Sequence, residues 1–460
     1  PGAHPGMHLV DGKLYARNYG LIFFALPLLW VIELVASVAE LGVAIAAGWS
    51  IGLLWIGDRF GPRTAYPRIT KSSVLFLAGL VFVANAWFAP AIAPRWHALL
   101  ALQLLTLLLA GLLVVLMYRL LSYLYDRRVG VVSAIVLAVG TPIGLWATIP
   151  KRHITIAAFA LVTFAAFARS REPAEYTLFY RAVGYAAVGL SAWVFAAEAI
   201  ILFVVYLPLD LLTAPSNDRR ELLFLAVVFL LSLLPSFLTN YAVVGNPLEP
   251  PKLWPSYNGE IDVLSGSEMG TGSGSSGGQP TGDPGPEPGG DTESSGISIV
   301  GLVLGLVGTF SAAITDSLPE LIAYFNRGWS VLFREPHRLV KVFIRSGWVD
   351  LKGIDGINLS ILETAPVLAL LLAAPVIFIK ERLSGLSGKK ISDDFSSEYR
   401  VLDAFAISYI VLFTLLYLHR LPLHATITVR YLLPTIPFLL YLVARLRVYR
   451  DISGGLWPFV

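Results

Sequence analysis

Eleven apolar runs, at residues 41–56, 74–93, 98–117, 129–149, 154–168, 183–197, 199–212, 222–238, 360–379, 402–418 and 431–446, decide what this chain can fold into. A helix needs roughly 20 apolar residues to cross about 30 Å of hydrocarbon, somewhat fewer where the bilayer thins. A helix also satisfies its own backbone hydrogen bonds, so runs of this kind specify an all-α polytopic integral membrane protein. Composition agrees: 56% of residues are hydrophobic, 14% are charged and mean hydropathy is +0.70, which excludes a soluble enzyme. The net charge of +3 is too small for a nucleic-acid partner. With no cysteine, disulfides, thiolate metal sites and cysteine nucleophiles are excluded, and chemistry falls to carboxylates, His, Lys, Arg and Tyr.

Lysine and arginine in short loops stay on the cytoplasmic side of a membrane. Here they fill every second connection: Arg59, Arg63, Arg68 and Lys71; Arg119, Arg127 and Arg128; Arg169, Arg171 and Arg181; Arg219 and Arg220; Lys380, Arg382, Lys389 and Lys390; Arg445, Arg447 and Arg450. The alternate set therefore faces outward: residues 1–20, 93–96, 150–153, a turn at Glu198, 240–358 and 419–430. The run 297–314 would reverse this parity if it crossed, so it reads as interfacial or buried. The run 21–38 carries Pro27 and Glu33 and reads as a partly embedded helix leading into the first span. A membrane helix ahead of residue 1 would bring the count to about twelve.

The chain thus divides into an outer segment 1–40, an eight-span core 41–240, a long outer loop 241–358 and a three-span part 359–460. Within the loop, 254–326 holds no Lys or Arg, and its acidic bias points to a high-salt exterior such as a haloarchaeal cell meets. Its stretch 265–295 is too rich in Gly, Ser and Pro to bury a core and reads as disordered.

Ionisable groups near membrane depth are costly and mark candidate functional sites. Asp11 stands in His8-Leu-Val-Asp11-Gly-Lys13-Leu-Tyr15-Ala-Arg17-Asn-Tyr19-Gly20, where a carboxylate can act as general base or bind a divalent cation. The competing reading is a solvated Asp paired with Lys13 or Arg17. Lys151, Arg152 and His153 break two apolar runs on the outward face, and three donors at a helix start suit a phosphate or diphosphate. Interfacial anchoring by snorkelling is the plainer account. Glu198, at the apex of a short hairpin, can pair with one of these cations, and a structural ion pair comes ahead of catalysis for it. Arg334, Arg338, Lys341 and Arg345 share one helical stripe near 331–345, beside His337, and read as an amphipathic helix drawn to lipid head groups. No phosphate-cradling glycine loop, metal-ligand cluster or nucleophile elbow is present.

Four segments, in order, resemble the GT-C superfamily of lipid-sugar-dependent membrane glycosyltransferases, which includes the protein mannosyltransferase and aminoarabinose transferase groups. They are Asp11-Gly-Lys-Leu-Tyr15 followed by Tyr19-Gly20 and Ala25-Leu-Pro27; Gly140-Thr141-Pro142 through Trp146 to His153; Asn240 followed by Gly245-Asn246-Pro247; and Thr428-Val-Arg430-Tyr431-Leu-Leu-Pro434-Thr-Ile-Pro437. The resemblance implies transfer of a sugar from a polyprenyl (dolichyl-type) phosphate carrier to a glycan, protein or lipid acceptor at the outer face of the cell membrane. It makes Asp11 the base, gives the lipid phosphate to Lys151, Arg152 and Arg430, and lets His153 orient phosphate or sugar. Tyr15, Arg17 and Glu198 join the substrate-binding set. The sequence departs from the family in two places: Val10 and Gly12 flank Asp11 where many members have a second acidic residue, and the short hairpin is apolar near Phe195, where members often have an Arg. A non-catalytic binder of lipid-linked sugar is therefore one alternative. A transporter or flippase of a lipid-linked or anionic substrate is another, although no internal repeat supports it. A structural scaffold would not need the outward cations at 151–153.

Overall fold

The computed structural model describes residues 7–10, 13–16, 19–60, 67–89, 91–172, 175–245, 247, 322–345, 348–351, 354–357, 359–375, 397–419, 421 and 428–456. They fall into two compact units, 1–18 with 237–323 and 19–236 with 324–460. In the first, strands β1 (Met7–Val10) and β2 (Lys13–Ala16) pair antiparallel, Met7 opposite Ala16 and Val10 opposite Lys13. In the same unit Gly245 takes a positive φ of 80°, and the Asn240 side-chain amide donates to the Pro247 carbonyl at 3.1 Å.

The second unit holds the membrane helices. They are α1 (Gly20–Val38), α2 (Leu41–Phe60), α3 (Pro67–Phe88), α4 (His97–Leu124), α5 (Arg127–Val139), α6 (Ile143–Trp146), α7 (Arg152–Arg169), α8 (Thr177–Thr213), α9 (Arg219–Val244, ending in the first unit), α10 (322–334), α11 (Pro366–Pro375), α12 (Ser397–Leu418), α13 (Ile436–Arg445) and α14 (Arg447–Leu456). Eight of the described helices are long and apolar enough to cross a membrane, and the pair α13–α14, bent by 85°, makes a ninth if it is one span. The protein is a helical multi-pass membrane protein. Its strands, among the described residues, are β1, β2 and a second antiparallel pair, β3 (Trp348–Leu351) with β4 (Ile354–Ile357).

Helix α8 is 37 residues long, yet it doubles back. Phe195 leaves helical geometry (φ −163°, ψ 103°), and the arms 177–194 and 196–213 return side by side. The Tyr206 hydroxyl donates to the Arg181 carbonyl at 3.1 Å, and the Tyr185 and Tyr206 rings lie 4.8 Å apart. A straight helix would hold residues 181 and 206 about 38 Å apart at its rise of about 1.5 Å per residue. Glycine at 184 permits the close approach, because a Cβ there would meet the Tyr206 hydroxyl. The expected runs 183–197 and 199–212 are these two arms, and the turn centres on Phe195, just before Glu198.

Asp210, an acidic residue inside an apolar run, closes the open end of this hairpin. Its side chain is fully buried, and both carboxylate oxygens are engaged: Arg181 Nε donates to Oδ1 and Oδ2 at 3.2 and 3.1 Å, and Arg181 Nη2 and the Tyr185 hydroxyl reach Oδ2 at 3.0 Å. Arg171 Nη2 donates to Oδ1. Arg181, itself buried, spends its remaining donors on the Ser216 carbonyl at 2.6 Å and on Asn217 Oδ1 at 2.9 Å. A charge pair enclosed this way survives burial because no hydrogen-bonding capacity is wasted.

Two other expectations change. The run 129–149 is not one helix: α5 starts on the Asp126 cap, whose Oδ1 accepts from the backbone of Arg128 and Val129, and stops at Gly140. Thr141 Oγ1 then donates to the Leu137 carbonyl at 2.6 Å, Pro142 lacks a backbone donor, and only the four-residue α6 follows. The stripe Arg334 to Arg345 does not lie on a single helix either. Helix α10 ends at residue 334, Glu335-Pro336 intervene, and a π-turn spans Val340–Ile344. Arg338 turns inward to Glu335 (2.6 Å) and to the carbonyls of His419 and Leu421 (both 3.4 Å). Helix α1, expected as a partly embedded run at 21–38, is one 19-residue helix with Pro27 inside it. It runs beside the first half of α4: Gly20 meets the Trp193 backbone near the α8 turn, Phe24 packs on Trp193 and Phe159, and Glu33 pairs with His97 Nδ1 at 2.9 Å.

Helix α7 forms the centre, buried along most of its length. Its alanines let neighbours approach closely, and Phe164 and Phe167 pack on Phe405, Phe438 and Tyr441 at ring separations of 5.0–5.2 Å. At one end of this bundle lie Asp210 with its arginines, Arg169 over the Tyr123 ring, Tyr399 on the Leu124 carbonyl, and Asp403 with Arg445 at 3.0 Å. At the other end the start of α7, the α8 turn, the end of α12 and residues 428–431 meet.

Removing the Asp210 carboxylate strands a buried guanidinium. Asp210→Ala is expected to cost about 3–5 kcal/mol, read as a marked fall in Tm of the detergent-purified protein. Asp451→Ala, which removes an exposed partner of Arg447, leaves Tm unchanged.

Candidate functional site

Helix α7 begins after Pro150, which cannot continue a helix from the preceding turn, and Lys151 sits extended at its N-cap with no side-chain cap. The first backbone N–H groups of an α-helix have no intrahelical acceptor, so this start is a positive terminus. Lys151, Arg152 and His153 stand on it in succession. Each side chain has a different fate.

Arg152 is held from three sides. Its Nε donates to Glu198 Oε1 at 3.3 Å, one Nη reaches the Tyr417 hydroxyl at 3.5 Å, and its guanidinium lies over the Phe195 ring at 4.0 Å. Tyr417 also donates to Glu198 Oε1. The Glu198 side chain is completely buried, whereas Arg152 stays 28% exposed. A carboxylate buried this deeply requires its cation, so Glu198 tethers Arg152 and bonds the α8 turn to α7 and α12. Phe195, the residue that departs from the resemblance, supplies an aromatic face beneath that guanidinium.

His153 points inward. Its ring meets the edge of Tyr431 at 5.2 Å and Trp146 at 6.4 Å, and Tyr431 lies 5.2 Å from Tyr417. Arg430 stacks on its neighbour Tyr431 at 4.7 Å and donates to that hydroxyl at 2.9 Å. Lys151 remains exposed. Partial burial, then the positive charges of Arg430 and Arg152, push its ammonium below the usual lysine range. Three cations so close repel one another, and among the described residues Glu198 is the one carboxylate paired with them; an anion relieves the excess.

Of the residues expected to bind substrate, Lys151, Arg152, His153, Glu198 and Arg430 are brought together although they come from three distant parts of the sequence. Asp11, with any cation beside it, and Arg17 lie outside the described residues, and Tyr15 lies on β2 in the first unit. Among the described residues no cluster of three His, Asp or Glu is placed to hold a metal ion. Tyr417 escaped the sequence reading. Its signal is the stripe Tyr409, Phe413, Tyr417 at four-residue spacing on α12, which marks one buried face but not its polar end. The sequence matches no family model, and neither a curated protein nor a solved structure matches it.

The lowered Lys151 pKa has a measurable sign. A depressed ammonium loses its proton at lower pH than an ordinary lysine, so its free amine appears earlier as pH rises. Competitive acetylation across a pH series, read by mass spectrometry, is expected to modify Lys151 at lower pH than a lysine in an unstructured model peptide. Arg430→Gln removes one repelling charge and moves the Lys151 profile back toward that of the peptide.

Proposed function

We propose that the protein is a GT-C-like membrane glycosyltransferase of about eleven spans, moving a sugar from a polyprenyl phosphate carrier to a glycan, protein or lipid acceptor. The observation that carries this reading is the gathering of Lys151, Arg152 and Arg430 around the start of α7, at the bundle end opposite the arginine-rich turns. A cationic cluster at helix ends suits a phosphate whose lipid tail lies in the bilayer beside the bundle. The positive-inside trend makes this the outer face of the cell membrane.

In this reading Asp11 accepts the proton of an acceptor hydroxyl as its oxygen bonds to the anomeric carbon. The bond from that carbon to the phosphate oxygen breaks, and its electron pair stays on the departing polyprenyl phosphate. Lys151 and Arg430 hold the charge that develops there. Arg152, tied to Glu198, shapes the junction and contributes part of its exposed edge. The charges do not favour a transporter, because those placed here sit at helix ends and not at mid-depth.

The test is mass spectrometry of surface glycoproteins and lipid-linked sugars from a deletion strain complemented with native or variant genes. The expected result is a glycan short by one sugar with the charged carrier accumulating, restored by the native gene and not by Asp11→Asn. A general base contributes about 10²–10⁴-fold, so that variant inserts normally and loses transfer on this scale. Restoration by Asp11→Asn removes Asp11 from catalysis, and an unchanged glycan in the deletion strain removes the transferase reading.

A further inference from the structure

Three buried nitrogens at the site end have no hydrogen-bond partner among the described residues: Trp146 Nε1, His153 Nδ1 and Arg430 Nε. Trp146 and His153 are 4% and 3% exposed, so water at the surface does not serve them. Buried polar atoms are nearly always paired, and an orphan is costly enough to require a reason. Two orphans on touching rings, one residue from the Arg152–Glu198 tether and two from Lys151, require a common one.

The alternatives on the sequence side are weak. Trp146 belongs to α6, a single turn between Pro142 and Pro150, and an indole that merely filled space here could be any large apolar ring. His153 poses the same puzzle: it is followed by Ile154, Thr155, Ile156, Ala157 and Ala158, all buried, and the Thr155 hydroxyl is likewise without a hydrogen-bond partner among the described residues. Each residue carries a polar atom that the protein itself leaves unused.

The chemistry of these atoms narrows the ligand. Indole Nε1 donates only, and a neutral imidazole Nδ1 donates or accepts according to tautomer. A phosphate only accepts, so it serves Nδ1 in one tautomer alone. A hydroxyl both donates and accepts and serves both nitrogens in either tautomer. Aromatic faces of Tyr431 and Tyr417 stand beside them, and such faces pack well on the C–H face of a pyranose.

We propose that Trp146 and His153 form a subsite for the hydroxyls of a sugar head group, distinct from the phosphate grip of Lys151 and Arg430. The inference rests on the donor-lipid reading above and deepens it, dividing the site into a charge-reading part and a hydroxyl-reading part. Tyr431, half-buried and seated edge-on to the His153 ring, is the side chain that moves aside for the sugar.

The test compares three lipids on one protein. Binding of undecaprenyl phosphate and of its mannosyl and glucosyl phosphodiesters to the full chain in nanodiscs is measured for the native protein, Trp146→Phe and Lys151→Ala. Phenylalanine keeps a ring in place and removes the N–H. The native protein is expected to prefer at least one sugar-bearing lipid over the bare phosphate by about tenfold. Trp146→Phe removes most of that preference and leaves bare-phosphate affinity unchanged, whereas Lys151→Ala weakens all three lipids alike. A native protein that binds all three equally, or a Trp146→Phe protein that keeps the full preference, overturns the subsite and leaves the lipid-phosphate reading standing. Absence of binding to any of the lipids by the native protein overturns both. If Trp146→Phe fails to fold, His153→Gln, which keeps a hydrogen-bonding group and changes its reach, is read the same way.

Discussion

An ionised side chain cannot stay alone in the apolar interior, and the tertiary contacts of this bundle follow from where its charges find partners. Asp210 is fully buried, and three side chains from two segments close around it: Arg171 from the loop after α7, and Arg181, through two of its nitrogens, and Tyr185 from the first α8 arm. This cluster pins the open ends of the α8 arms to each other and to the loop after α7. Glu198 does the equivalent at the opposite end, joining the α8 turn to α7 through Arg152 and to α12 through Tyr417. Between the two carboxylates the contacts are apolar, and phenylalanine rings on α7, α12 and α13 interlock. Dispersion and close fit hold that middle layer, while the two polar layers fix which helices meet and in what register.

Much of this was legible in the residues. Hydropathy located the long helices because a span has a minimum length, and arginine placement sorted loops into two sets because positive residues resist translocation. What stayed hidden was decided by single residues in three dimensions. Glu198 announced the hairpin, but Phe195, an apolar residue in an apolar run, did not announce that the chain turns at its own position, three residues earlier. Gly140-Thr141-Pro142 did announce a break within 129–149, yet hydropathy alone reads through it. Pro336 likewise splits a charge stripe that is regular by spacing. For the site, the cations at 151–153 stood out against their surroundings, and Arg430 came from its motif, but Tyr417 lies on a stripe that reads as core until its hydroxyl meets Glu198.

The same residues explain why Arg152 and Lys151 differ despite being adjacent. A helix start turns successive side chains about 100° apart, so one can face the bundle while the next faces its rim. Arg152 takes the inward place and is offset by Glu198. Lys151 keeps the rim, with no carboxylate of its own among the contacts described, and Arg430 crowds it from the segment before α13. The junction therefore carries a net positive charge that is structurally locked on one side and available on the other. Phe195 fits this division: an arginine there would add a fourth cation against Arg152 in a place where a ring instead holds the guanidinium flat.

The Asp210 cluster and the surroundings of His153 differ in how completely their polar atoms are satisfied. Around Asp210 both carboxylate oxygens and the donors of Arg181 are engaged, which is what a purely structural ion cluster needs if it is to repay its desolvation. Around His153 the protein forgoes the same economy: an indole N–H, an imidazole nitrogen and a guanidinium Nε are enclosed and left unused. Selection for stability alone would replace Trp146 with phenylalanine or leucine, which fill the space without an orphan donor. Retaining polar atoms at that cost is reasonable where a ligand completes them, and the atoms left unused here stand beside the positive charges of Lys151 and Arg430.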